Sequence, residues 1–498
     1  MKKSLILLFA FFSCMAYAQF VPIGQFDHHQ DVGNPKKAGS AVYNEKDQTY
    51  TITGAGINIW SKVDQFHYIW KKIKGDFSIS ATIQFVGKGV ANHRKIGIMA
   101  RNELTTNSPY ADACVHGDIL SSLQYREQDT ANTYQVTLLS YHPTNIEFSR
   151  KGDVYTFSAA TPGEIYKSVT KEMKLNDEVY AGLFICSHVE DVSETAIFSN
   201  VRITIPPTTG YTPYRDYIGS NLELMDVSTG LRKIIYTIPS SIQAPNWTRD
   251  GKSLIYNSSQ GLLYNYSLAD GKITTLNSGE VIHNNNDHVI SFDGKLIALS
   301  NHVGDKRTST IFIMPVTGSA TPVQITSPDS GQSYLHSWSL DGKKLIFTGQ
   351  RKKQFDIWSI DIATKKETPL TNLPTLDDGP ELSPDGKWIY FNSVRTGTMK
   401  IWKMRPDGSG QEQVTFDEYN DWFPHFSPDG KWIVFISFPK EIDPTQHPFY
   451  QRVYLKLMPA SGGIPRTIAY LFGGQGTINV PSWSPDSKQI AFVSNTKM

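Results

Sequence analysis

A chain of 498 residues, 39% hydrophobic and 19% charged, is too long for one compact core and is expected to hold at least two domains. Its net charge of +1 excludes polyanion binding as the main business, because phosphate recognition needs clustered Lys and Arg, so no nucleic-acid partner is expected. Three cysteines exclude a disulfide-stapled scaffold.

The first residues are Lys2 and Lys3, then an apolar run from Leu5 to Phe12, then Ala16-Tyr17-Ala18 before Gln19. A basic start, a short apolar middle and small residues at the cleavage point predict a signal peptide over residues 1–18, and with it a periplasmic or secreted protein. The run falls short of the roughly 20 residues that cross a bilayer, and no later stretch is long and uncharged enough to be a transmembrane helix. Cys14, preceded by Phe-Phe-Ser, is a poor match to a lipid-attachment cysteine, so cleavage after Ala18 is the better reading. Cys114 and Cys186 then remain, and buried free thiols are favoured over a bridge.

Residues 20–205 show short alternating runs such as Phe77-Ser-Ile-Ser-Ala-Thr-Ile, Lys95-Ile-Gly-Ile-Met-Ala-Arg and Val179-Tyr-Ala-Gly-Leu-Phe-Ile-Cys, separated by turn residues and without a helix-length pattern. Many short strands without helices predict a β-sandwich. The segments Gly54-Ala-Gly-Ile-Asn-Ile-Trp60, Ile96-Gly-Ile-Met-Ala and Ala196-Ile-Phe-Ser-Asn-Val-Arg-Ile resemble the concanavalin/laminin-G jelly-roll superfamily. That resemblance implies a concave sheet able to bind glycan, with Trp60, His67, Tyr68, Trp70, Arg101, His116, Tyr125 and Arg126 as stacking and hydrogen-bonding candidates; core or edge packing explains each of them equally well. Residues 206–213, Pro-Pro-Thr-Thr-Gly-Tyr-Thr-Pro, form the linker.

From residue 214 to 498 a motif recurs six times, as in Leu382-Ser-Pro-Asp-Gly-Lys-Trp-Ile-Tyr-Phe and Phe426-Ser-Pro-Asp-Gly-Lys-Trp-Ile-Val-Phe. Its aspartates are Asp250, Asp293, Asp341, Asp385, Asp429 and Asp486, in steps of 43, 48, 44, 44 and 57 residues, the period of a four-stranded propeller blade. Pro presets φ, Asp bonds its own backbone and Gly takes the left-handed conformation, so the motif is a hairpin turn and its aspartates are structural. The repeat starts on an outer hairpin (from Leu222) and ends on an inner one (at Ala491-Phe-Val-Ser), so closing the ring pairs the two halves into one shared blade and removes both free edges. The expected fold is all-β: a jelly-roll β-sandwich followed by a six-bladed β-propeller.

The Ser-Pro-Asp-Gly-Lys repeat resembles the TolB-type propeller family over about residues 212–498, a family related to oligogalacturonate lyase propellers. The small α/β domain that precedes the TolB propeller is not legible here, which puts a Tol–Pal role in doubt. The Gly-x-Ser-x-Gly elbow required of a prolyl peptidase is absent too.

Segments leading into the inner strands of a propeller line the channel mouth. They carry His283, Asp287, His288, His336, Asp378, Glu381, His425, Gln475 and Asn479. His288, His336 and His425 lie four or five residues before their repeat aspartates, a placement that aims them at one cavity, either as ligands of a divalent metal or as an acid–base group. Arg351 and Arg395, with Arg307 and Lys440, supply a basic rim. Two functions fit. In one, the protein is an accessory, non-catalytic propeller binding a glycan or protein partner. In the other it is a carbohydrate-active enzyme, such as a lyase on uronate-containing oligosaccharides, with His288, His336, His425 and Arg351 catalytic and His283, Asp287, Asp378, Glu381, Arg395, Gln475 and Asn479 binding the ligand.

Overall fold

The computed structural model describes residues 22–118, 120–212 and 214–498, so the expected signal peptide, Cys14 and the last residue of the expected linker lie outside the described residues. Strands His28–Val32, Phe66–Lys74, Glu178–Cys186, Lys95–Arg101, Tyr110–His116, Ser121–Arg126 and Tyr134–Thr137 form one antiparallel sheet in that spatial order. A second seven-stranded sheet packs against it, with Phe77–Val86 and Val189–Thr204 near its centre. Alternation decides what faces inward: Phe77, Ile79, Ala81 and Ile83 are buried, while Ser78, Ser80 and Thr82 between them are less so.

The outer face of the first sheet is covered as well. Phe66, Tyr68, Met99, Tyr110 and Phe184 pack there with Ile59 and Leu104 from covering loops. Under this cover Asp64 pairs with Arg126 at 2.7 Å and with Arg101 at 3.3 Å, all three side chains fully buried. Tyr68, Arg101 and Arg126 are thus interior, and the open stacking surface expected from them is not formed. Cys114 and Cys186 are buried free thiols.

The propeller has five four-stranded blades (residues 242–275, 284–324, 333–369, 377–413 and 420–473) and a clasp. In the clasp the C-terminal strand Gln489–Thr496 pairs with Gly219–Asp226 over eight positions, Leu222 opposite Val493, and Arg232–Ile238 flanks it. The repeat motif is the predicted hairpin. In each turn the aspartate Oδ1 accepts from the Ser or Thr hydroxyl two residues earlier at 2.6–2.7 Å and from the backbone N–H two residues later at 3.1–3.2 Å. The sixth turn has Ser487 where the others have Gly, and it still takes the left-handed conformation, at φ 62°.

The two units are joined at the clasp. Glu223 on Gly219–Asp226 receives Arg202 of the sandwich at 2.6 Å, Arg232 at 2.9 Å and the Ser494 hydroxyl. Lys497 N–H donates to the Ile205 carbonyl at 2.8 Å, and Tyr166 stacks on Tyr470 at 4.3 Å. Among the described residues no helix is long and apolar enough to cross a membrane.

Candidate functional site

The innermost strands of the five blades are Ile242–Trp247, Asn284–Ile290, Ser333–Trp338, Asp377–Leu382 and Asn420–Phe426. A β-bulge interrupts each, between Gln243 and Asn246, Asn284 and His288, Leu335 and Ser337, Asp378 and Glu381, and Trp422 and His425. Positive φ at Ala244 (55°), Gly379 (60°) and Phe423 (52°) marks three of them. A bulge re-aims the side chains around it. Gln243, Asn284, Asp287, His336, Asp378 and Phe423, at or beside the bulges, line the channel mouth, while the polar side chains just beyond turn toward a neighbouring blade. Beyond the bulge, Asn246, Ser337 and Glu381 accept the backbone N–H groups of Ile290, Leu382 and Phe426 in the next blade, at 3.3, 3.1 and 2.9 Å.

The channel mouth opens into a cavity of about 940 Å³. Its acidic centre joins four blades. Asp378 accepts from Thr348 Oγ1 and from the Gly379 N–H, both at 2.7 Å, and lies 3.5 Å from His336 Nε2. His447 Nε2 is 4.0 Å from its other oxygen. Burial opposes the Asp378 charge, but the hydrogen bond and charge of His336 outweigh it and hold the carboxyl below the usual range. Burial likewise opposes a charged His336, yet Asp378 and Asp287 hold its imidazole above the ordinary value. Asp287 is different. Among the described residues none hydrogen-bonds its carboxyl group, and burial pushes it up to about 7. His447 is lowered by burial.

Around this centre the wall carries amides and hydroxyls, four of whose buried atoms have no hydrogen-bond partner among the described residues: Asn257 Oδ1, Ser258 Oγ, Asn284 Oδ1 and Asn286 Nδ2. The Asn257 and Asn284 amide nitrogens donate to backbone carbonyls. Aromatic rings form the rim. Tyr214 and Tyr217, on the segment entering the propeller, pack edge-on against Phe449 at 5.3 and 5.7 Å, and Tyr334 leans on Phe355 at 6.3 Å.

Of the residues singled out from sequence, Asp287, His336, Asp378, Gln475 and Asn479 line this cavity. His288 and His425 do not. His288 points back to the Ile255 carbonyl at 3.2 Å, and His425 is held between Glu381 and the Ile478 carbonyl at 2.6 Å each. The expected histidine trio is therefore not assembled, because the bulge falls before His288 and His425 but leaves His336 at the irregularity itself. Among the described residues no group of three or more His, Cys, Asp or Glu side chains is arranged to hold a metal ion, so the divalent-metal expectation has no ligand set. Glu381 is an inter-blade acceptor, and His283 is exposed on its loop.

The basic rim is mostly committed elsewhere. Arg351 forms a two-pronged pair with Glu367 at 2.7 and 2.9 Å, and Arg395 Nη2 alone reaches both carboxylate oxygens of Asp377, at 2.8 and 3.0 Å. Only Arg307 of the four basic residues reaches the cavity lining. Sequence reasoning missed His447, Tyr214, Tyr217 and the asparagine wall. The one signal for His447 was the step of 57 residues, whose excess is the 439–450 insertion that carries it.

Fold and site define a six-bladed propeller protein with one deep polar cavity at the channel mouth. The TolB beta propeller domain model matches residues 304–447. The uncharacterized protein Atu1656 of Agrobacterium fabrum is 45% identical over 275 residues, 55% of this chain and 92% of its own length. A solved propeller from Agrobacterium tumefaciens named for TolB is 43% identical, covering 57% of this chain and all of its own, with a TM-score of 0.54. The chain belongs to the TolB-like β-propeller family. An oligogalacturonate lyase from Vibrio parahaemolyticus is a distant likeness, 13% identical over 56% of this chain and 98% of its own, with a TM-score of 0.36.

Proposed function

We propose that this chain is an exported binding protein whose propeller cavity takes a neutral, polyhydroxylated ligand, the end of a glycan. The observation that carries the reading is a deep cavity lined by amide and hydroxyl side chains, among them Asn257, Ser258, Asn284, Asn285, Asn286 and Asn479, under an aromatic rim. A sugar hydroxyl both donates and accepts, so it suits a wall of amides and hydroxyls, which offer both kinds of group. Aromatic faces with a few placed polar groups are the usual means of orienting such a ligand. Export rests on the basic and apolar start of the sequence. A lyase on uronates is less well supported, since Arg351 and Arg395 are held by Glu367 and Asp377, and the cavity that Arg307 borders has the carboxyl groups of Asp287 and Asp378 at its centre.

Calorimetric titration with cellohexaose, laminarihexaose, maltohexaose, xylohexaose and trigalacturonate tests this. At least one neutral oligosaccharide is expected to bind, with Asn286→Ala weakening it about tenfold, or about 1.4 kcal/mol. No binding by any neutral sugar, or binding of trigalacturonate alone, contradicts the reading.

A further inference from the structure

We propose that the cavity hydrolyses a glycosidic bond of the glycan it binds, with Asp287 as general acid and Asp378 as general base; this rests on the glycan-binding reading above. The geometry is a pair of carboxyl groups entering one cavity from alternate blades, Asp287 on Asn284–Ile290 and Asp378 on Asp377–Leu382, with His336 of the intervening blade between them. The two acids sit in opposite settings. Asp378 is fixed by the Thr348 hydroxyl, the Gly379 N–H and the His336 imidazole, which stabilise its anion. Asp287 is 5% exposed and has none of these donors on its carboxyl group, so it keeps its proton to about 7. Two carboxyl groups whose environments separate their protonation states are the arrangement that glycosidic hydrolysis uses.

The step balances with water alone. The Asp287 O–H delivers its proton to the glycosidic oxygen as the bond from that oxygen to the anomeric carbon breaks. A water oxygen bonds to the anomeric carbon while Asp378 takes one of its protons. One water is consumed, two shorter sugars leave, and a proton passing from Asp378 back to Asp287 restores the start. His336 is a positioning residue, holding Asp378 ionised. Burial raises the proton affinity of Asp287, His336 opposes it and Asp378 adds to it; Tyr334 is the other titratable group that faces it. Activity then declines above about pH 7, where Asp287 loses its proton, and declines in acid as Asp378 gains one.

The test takes the neutral hexasaccharides that bind in calorimetry, incubates them with the full chain lacking its leader, and counts new reducing ends by chromatography. Cleavage is expected, falling at least about 100-fold in Asp287→Asn and in Asp378→Asn, with binding kept within a few-fold and unchanged thermal unfolding showing that the variants fold. His336→Gln is expected to move the acid limb of the pH profile upward, since Asp378 loses the cation that keeps it ionised. A hexasaccharide that binds and stays intact, or Asp287→Asn cleaving at the parent rate, overturns the hydrolytic proposal and leaves the binding reading standing. Failure of every neutral sugar to bind removes both.

Discussion

Truncation after residue 488 is expected to abolish the cooperative unfolding of the propeller and all oligosaccharide binding. The deleted segment contains Gln489–Thr496, whose eight pairings with Gly219–Asp226 close the ring. Ile490, Ala491, Phe492 and Val493 are at most 1% exposed, and each large apolar side chain among them contributes about 1.5–3 kcal/mol on burial. Together they approach the 5–15 kcal/mol of net stability typical of a folded domain. Their loss also bares the edge of Gly219–Asp226, an invitation to intermolecular pairing. Urea unfolding followed by tryptophan fluorescence, with size-exclusion chromatography, reads the result. A truncated chain that stays monomeric and unfolds at the parent midpoint contradicts it.

Glu223→Ala carries the second large effect. The Glu223 carboxylate is fully buried and is shared by Arg202 of the sandwich and Arg232 of the clasp, with the Ser494 hydroxyl as a third donor. Burial opposes its charge, but the two guanidinium groups overcome this and hold it down at about 2. Removing it strands two buried cations, a loss of about 3–5 kcal/mol. The pH dependence follows from the sign of the shift. A depressed carboxyl contributes stability that is present above its unfolded value and lost as pH falls toward about 2, so the parent chain should weaken below about pH 4.5. In Glu223→Ala that part of the acid dependence should vanish. Unfolding midpoints across pH 2.5–7 for both chains check this, and parallel curves refute it.

Ring closure is legible in the sequence because the Ser-Pro-Asp-Gly-Lys turn is a local device repeated at blade spacing, and its offset between the two ends leaves only the clasp as a solution. The sandwich is legible from strand alternation for the same reason. The cavity is legible only in part. Counting back from each repeat aspartate assumes regular strands, and the bulges break that assumption. His288 and His336 share one offset, yet one is buried against Ile255 and the other faces the channel. Arg351 and Arg395 look free in sequence because Glu367 and Asp377 lie 16 and 18 residues from them and are brought near only by strand pairing. Arg101 and Arg126 look like surface groups because arginine is seldom fully buried, and Asp64 is what makes their burial tolerable. Tyr214, Tyr217 and His447 sit outside the repeat, in the segment entering the propeller and an insertion, where no periodicity points to them.

The most direct measurement is a crystal structure of the Asp287→Asn chain soaked with the tightest-binding neutral hexasaccharide. Sugar density is expected at the channel mouth, among the Asn257, Asn284 and Asn286 side chains that line it, with a ring against the rim formed by Tyr214, Tyr217 and Phe449. Density on the sandwich instead, with the propeller cavity holding only solvent, would contradict it.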